Sequence, residues 1–151
     1  TADLIDAMIP FDLGDKNVAL LHYGEPNLSL AESLAHRGAR LRELLLYEWR
    51  LPADTTRLIR LIVELIVHQH TAIAFTSQIQ ARHLFRLAAE AGREDQLRAA
   101  LNEIVVASIG PTCTAALSNL GVRPRVEPER PKMGPLISAV AQRVHQSRND
   151  C

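Results

Sequence analysis

The chain has 151 residues, 47% of them hydrophobic and 23% charged, with a formal net charge of zero. That is room for one ordinary core or two small lobes of a soluble globular protein. No field of one sign announces a nucleic-acid or membrane-surface partner, and no run is long and apolar enough to span a bilayer. The first residues, "TADLIDAMIPFDLGDK", carry acids where a signal peptide needs bases, and Cys113 and Cys151 have neither metal nor redox spacing. These features predict a reducing cytoplasm, no disulfide and no metal site.

In chain order, Thr1 and "ADLIDAM" predict a short helix capped at Thr1 or Asp3 and ended by Pro10 and Gly14. "NVALLHY", Asn17 to Tyr23, is apolar but too short for a helix, and predicts a buried strand. A helix capped by Asn27 or Ser29 follows and closes at Gly38. "RLRELLLYEW", Arg40 to Trp49, could be a helix by period, but its place after helix and glycine favours a strand. Pro52 breaks the chain. "ADTTRLIRLIVELIVHQH" then has Leu58, Leu61, Ile62, Leu65 and Ile66 at helical spacing behind an Asp54 cap.

"TAIAFTS", Thr71 to Ser77, is the next predicted strand, followed by a helix to Gly92 and a short helix over "REDQLRAALN". "EIVVASI" predicts a strand and "TCTAALSNLG" a helix. "VRPRVEPE" is extended, with Pro124 and Pro128 restricting it to an edge or exit strand. "PKMGPLISAVAQRVHQ" is the last helix and "SRNDC", 147–151, a polar tail. Strands alternating with helices predict an α/β fold with parallel sheets flanked by helices. "PKMGPLISAV" faintly echoes "TADLIDAM", as if the chain begins and ends in the closing helix of a repeat.

Ligands of such sheets sit outside the carboxyl ends of the strands. In "FTSQIQARH", Thr76 and Ser77 end a strand and open a helix, whose unpaired amides and partial positive charge suit an anion. Ordinary N-capping by Ser77 is the plainer alternative. Arg82, one turn on, is the cation best placed to face a carboxylate. "IGPTCTAAL" repeats the geometry: Gly110 for the turn, Pro111 for the first helical turn, and Thr112 or Thr114 to cap or touch a ligand. It lacks the lysine of a phosphate loop and the glycine pattern of a dinucleotide fingerprint. Tyr47 ends the leucine run, where a phenol of pKa about 10 can serve as a weak general acid or simply as a boundary side chain. His68 and His70 point to different helix faces and predict a C-terminal cation rather than a metal site.

Taken together, "VALLHYGEPNLSLAESLAHRGARLRELLLYEW", "AIAFTSQIQARHLF" and "VVASIGPTCTAALSNLGVRPRVEPERPKMGPLISAVA" resemble the C-terminal half of the uroporphyrinogen-III synthase family from Val18 to about Val144. "PERPKMGPL" is similar to the bacterial branch often joined to a winged-helix domain. The resemblance implies flavodoxin-like half-lobes: 1–16 closing a preceding repeat, 17–50 in one lobe and 51–146 in the second. It implies a cofactor-free lyase of heme biosynthesis that cyclises hydroxymethylbilane and inverts its last ring. Tyr47 would assist hydroxide departure, while Thr76, Ser77, Gln78, Arg82, Gly110, Pro111, Thr112 and Cys113 would hold substrate carboxylates. Gln78-Ile79 and Cys113 depart from the family pattern, and a thiol is a poorer hydrogen-bonding group than a hydroxyl. A lone half also implies a segment-swapped homodimer or a missing N-terminal half. A non-catalytic module sensing a tetrapyrrole or another carboxylated ligand for a transcriptional regulator, without touching nucleic acid itself, is the second reading.

Overall fold

The computed structural model describes residues 2–149. The chain divides into two compact units at Arg50/Leu51. In the first, α1 (Ala2–Met8) precedes β1 (Asn17–Gly24), α2 (Leu28–His36) and β2 (Arg40–Glu48). The strands pair in parallel, Asn17 opposite Arg40 through His22 opposite Leu45, so the βαβ reading of this segment holds. Asn27 caps α2 by accepting from the Leu30 amide at 3.3 Å. Leu30 and Leu34 of α2 pack with Leu13, against Val18, Leu20 and Leu41 of the sheet. Arg37 ties α1 down by donating to the carbonyls of Met8, Ile9 and Phe11 at 2.8, 3.1 and 2.6 Å. The other face of this sheet stays open: Leu21, Tyr23, Leu44 and Leu46 are 45–67% exposed.

The second unit runs α3 (Thr56–Ile66), β3 (Ala72–Phe75), α4 (Gln78–Glu90), α5 (Glu94–Glu103), β4 (Val105–Ser108), α6 (Pro111–Asn119) and α7 (Met133–Asn149). β3 and β4 are parallel, with Ala72 opposite Val105 and Phe75 opposite Ser108. One sheet face packs on α3–α6 through Ile62, Leu65, Phe85, Leu97, Leu101 and Leu117. The other receives α7 through Leu136 against Val105 and Ala107. Every β4 residue is buried, which is why this strand reads as a continuous apolar run. Each fully buried leucine contributes roughly 1.5–3 kcal/mol relative to exposure.

Several boundaries differ from expectation. β3 stops at Phe75, because Ser77 leaves the ladder to cap α4. β4 starts only at Val105, since α5 continues to Glu103. "VRPRVEPE" forms no strand; its one ladder contact is an isolated parallel bridge between Ala107 and Val126, as its prolines lack the N–H a ladder needs. α3 ends at Ile66, and His68 follows with a φ of +56°. His68 and His70 therefore do not cap the helix; they meet Glu103 at 3.3 Å and Glu64 at 3.1 Å. Asp54 accepts from the Thr56 amide at 2.9 Å, and the Thr56 hydrogen bonds hold its carboxyl below the usual range. α7 continues to Asn149, so the described part of the expected tail is helical. The expected Thr1 cap and Cys151 lie outside the described residues. No helix among the described residues is long and apolar enough to cross a membrane.

Candidate functional site

In the second unit the two strand-to-helix corners are neighbours. β3 and β4 are adjacent and parallel, so Thr76–Ser77 and Gly110–Thr112 leave the same end of one sheet. The Ile109 amide donates to the Phe75 carbonyl at 3.0 Å, and the Cys113 thiol donates to the same carbonyl at 3.7 Å. The N-termini of α4 and α6 thus open side by side, each with first-turn amides lacking an intrahelical acceptor.

The protein already uses part of this donor set. Ser77 Oγ accepts from the Ile79 amide at 3.4 Å, so the plain capping role is present. The Gln80 side chain folds back, its Oε1 accepting from the Thr76 amide at 2.9 Å and its Nε2 lying 3.1 Å from the Thr76 hydroxyl. The Gly110 carbonyl accepts from the amides of Cys113 and Thr114, both at 3.0 Å. The amides of Gln78 and Thr112 have no hydrogen-bond partner among the described residues. Arg82 Nη2 donates to Gln78 Oε1 at 3.3 Å.

Gly110 is not the open turn the sequence suggests. Its backbone is extended (φ 169°, ψ −178°), a conformation any residue adopts, and it is buried. Its smallness matters because a Cβ would stand 3.2 Å from Cβ of Pro131. Pro111 and Thr112 are exposed beside it. Cys113 turns into the core at 2% exposure. Burial chiefly pushes its thiol above the usual range, the Ile109 backbone hydrogen bond opposes this, and the charge of Glu127 adds to it.

A polar chain runs from this corner that the spacing did not reveal. Fully buried Ser108 places Oγ 3.1 Å from the Gly110 carbonyl and 2.5 Å from Thr114 Oγ1. The Thr114 hydroxyl in turn donates to the Glu127 carboxylate. A carboxylate thus already sits near the first turns of α6, where the dipole favours negative charge. Thr114 is legible as a polar residue at the right place; Glu127 lies 13 residues away on a proline-rich segment, and only folding brings it there. Beside the α4 corner is a mostly apolar cavity of about 330 Å³, lined by Leu58, Leu61, Phe75, Gln80, His83 and Leu84. Among the described residues no cluster of His, Cys, Asp and Glu could hold a metal ion.

Tyr47 lies in the first unit, at the carboxyl end of β2, and is 51% exposed. Its ring centroid is 6.2 Å from that of Tyr23 and 5.7 Å from that of Trp49, the latter pair edge to face. In the same unit, buried His22 accepts from the Asn27 amide at Nδ1 (3.1 Å). The proton therefore sits on Nε2, which donates to Glu43 at 2.8 Å. With both ring nitrogens occupied, His22 fastens α2 to the sheet and has no free base position. The 21-residue separation of this pair hid it from motif reading.

A family model described as uroporphyrinogen-III synthase HemD matches residues 1–138. The chain is 29% identical to the uncharacterized Bacillus subtilis protein YjjA over 143 residues, 94% of this chain and 53% of that protein. It is similar to the crystal structure of uroporphyrinogen III synthase from the extremely thermophilic bacterium Thermus thermophilus, with 31% identity, a TM-score of 0.62, and coverage of 95% of this chain and 55% of that one. A selenomethionine mutant of the same enzyme aligns with a TM-score of 0.68 at 29% identity over the same shares. The chain thus spans about half the length of these relatives.

Proposed function

The chain belongs to the uroporphyrinogen-III synthase family, and we propose that it is a synthase region cyclising hydroxymethylbilane with inversion of the last ring, in the cytoplasm. The observation that supports this most is the pair of adjacent helix N-termini at the end of the β3–β4 sheet. The substrate bristles with acetates and propionates. Exposed Thr112, the unpaired amides of Gln78 and Thr112, the hydroxyls of Thr76 and Ser77, and the Arg82 guanidinium supply donors for such groups. Gly110, Pro111 and Cys113 shape the corner, the Cys113 amide being held by the Gly110 carbonyl. Tyr47, exposed at its strand end, is the acid that assists hydroxide departure. Most of the acceleration comes from folding the flexible tetrapyrrole into a productive shape.

Among the described residues each sheet has two strands, an arrangement marginal in isolation. We therefore place the complementary strands in a second half, either a second copy exchanging segments about a two-fold axis or a missing N-terminal half. Light scattering after size exclusion tests the swap: a strict monomer at micromolar concentration rules it out. A coupled assay scoring isomer III against spontaneous isomer I tests the chemistry, and isomer I alone refutes it for this chain.

The buried Cys113 thiol and the Glu127 carboxylate beside the α6 corner favour a second reading, a non-catalytic module that senses a tetrapyrrole or another carboxylated ligand. Tyr47→Phe and Ser77→Ala separate the two. An enzyme loses turnover in both variants, whereas a sensor changes only in ligand affinity.

A further inference from the structure

The aromatic cluster around Tyr47 is assembled by two unusual backbone features. Between the pairs His22–Leu45 and Gly24–Glu48, one β1 residue, Tyr23, stands opposite two on β2, Leu46 and Tyr47. This is a bulge, rare in parallel pairing, and bulges re-aim side chains. Here it accompanies the approach of Tyr47 to Tyr23. Next to it, Gly24 has a φ of +83°, and a Cβ built on it would fall 1.5 Å from Nε1 of Trp49. The indole occupies the space a side chain at 24 would fill. The chain has two tyrosines and one tryptophan, and all three gather at this strand end. They remain 67% (Tyr23), 51% (Tyr47) and 46% (Trp49) exposed. Such rings offer flat apolar faces with polar tips, suited to a flat heteroaromatic ligand.

Resting on the synthase-family reading above, we propose that Tyr23 and Trp49 form a stacking subsite for a pyrrole ring, positioning it beside the Tyr47 phenol. Carboxylate-holding groups recognise the rim of a tetrapyrrole; this subsite recognises the ring itself. Tyr23 and Trp49 are positioning residues that hold a pyrrole ring flat beside the phenol. Stacking is tolerant of ring substituents, because every flat ring has a π-face. Discrimination between acetate and propionate edges therefore lies elsewhere.

The test uses the full chain and uroporphyrin I, a flat octacarboxylate, with affinities from equilibrium titration and oligomeric state from light scattering on the same samples. Trp49→Ala and Tyr23→Ala are expected to weaken binding about tenfold each, roughly 1.4 kcal/mol. Trp49→Phe, which keeps a ring face, is expected to stay within about threefold of the parent chain. Circular dichroism identifies any variant that fails to fold, and Tyr23→Ala and Trp49→Phe carry the test if Trp49→Ala does. Folded alanine variants that bind as tightly as the parent overturn the subsite alone. A changed oligomeric state with unchanged affinity also overturns it, assigning the patch to a protein partner. A parent chain that does not bind uroporphyrin I overturns both the subsite and the functional reading beneath it.

Discussion

Replacing Thr114 by valine probes the α6 corner with almost no change of shape. The substitution removes the hydroxyl that joins buried Ser108 to Glu127. Ser108 is 0% exposed and would be left with the Gly110 carbonyl alone, at 3.1 Å. A hydrogen bond to a charged group contributes about 1.5–3 kcal/mol, but Glu127 is exposed and regains water, so we expect about 1–2 kcal/mol of destabilisation. Ser108→Ala should cost about 1 kcal/mol, and the double variant less than the sum, with a coupling of roughly 0.5–1 kcal/mol. Glu127→Gln retains an acceptor and should stay within about 0.5 kcal/mol.

Urea unfolding followed by far-ultraviolet circular dichroism measures these values. Tryptophan emission comes from Trp49 in the first unit, since the second unit has no tryptophan. The corner variants should shift the dichroism transition. A Thr114→Val variant within about 0.3 kcal/mol of the parent, or strictly additive single variants, would refute the network.

Leu117→Ala empties a fully buried site between α6 and its neighbours and should cost about 2–5 kcal/mol in the same dichroism experiment. Asn27→Ala removes the α2 cap and should lower the stability of the first unit by about 1 kcal/mol, read by Trp49 emission. His70 first, and Arg60 with it, hold the Glu64 carboxyl below its ordinary value of 4.5. A depressed carboxyl stabilises the fold above the ordinary carboxylate range and loses that contribution as pH falls through its folded value. Glu64→Gln should thus be less stable than the parent at neutral pH, with the two converging in acid; curves that stay parallel across the titration would contradict this.

The alternation of short apolar runs with periodic segments made the α/β class readable, because a buried parallel strand must be apolar on both faces. "VVAS" shows it best, with all four residues buried. Arg40–Glu48 was separable from a helix only by its neighbours, since its leucines satisfy either period. Strand ends were less legible: Ser77 serves equally as a last strand residue and as a helix cap, and the structure chose the cap. At the corners, residue types at the turn could be read, while the groups that hold them could not. Gln80 reaches its corner from four residues along the chain, whereas Glu127 and Pro131 reach theirs only through tertiary packing. The bulge that sets Tyr47 beside Tyr23 leaves no trace in a pattern of hydrophobic and polar residues, because it is a mismatch between two strands rather than a property of either.

Cys113 turns its corner into a clock. Its thiol is buried, bonded to the Phe75 carbonyl and shifted away from the reactive thiolate. A thiol reagent can therefore reach it only when the junction of α6 and β3 opens. In a Cys151→Ser background, with reagent high enough that alkylation outpaces reclosing, the alkylation rate of Cys113 becomes a count of those openings. A ligand that grips both corners would slow that count in proportion to its occupancy, whether or not any chemistry follows.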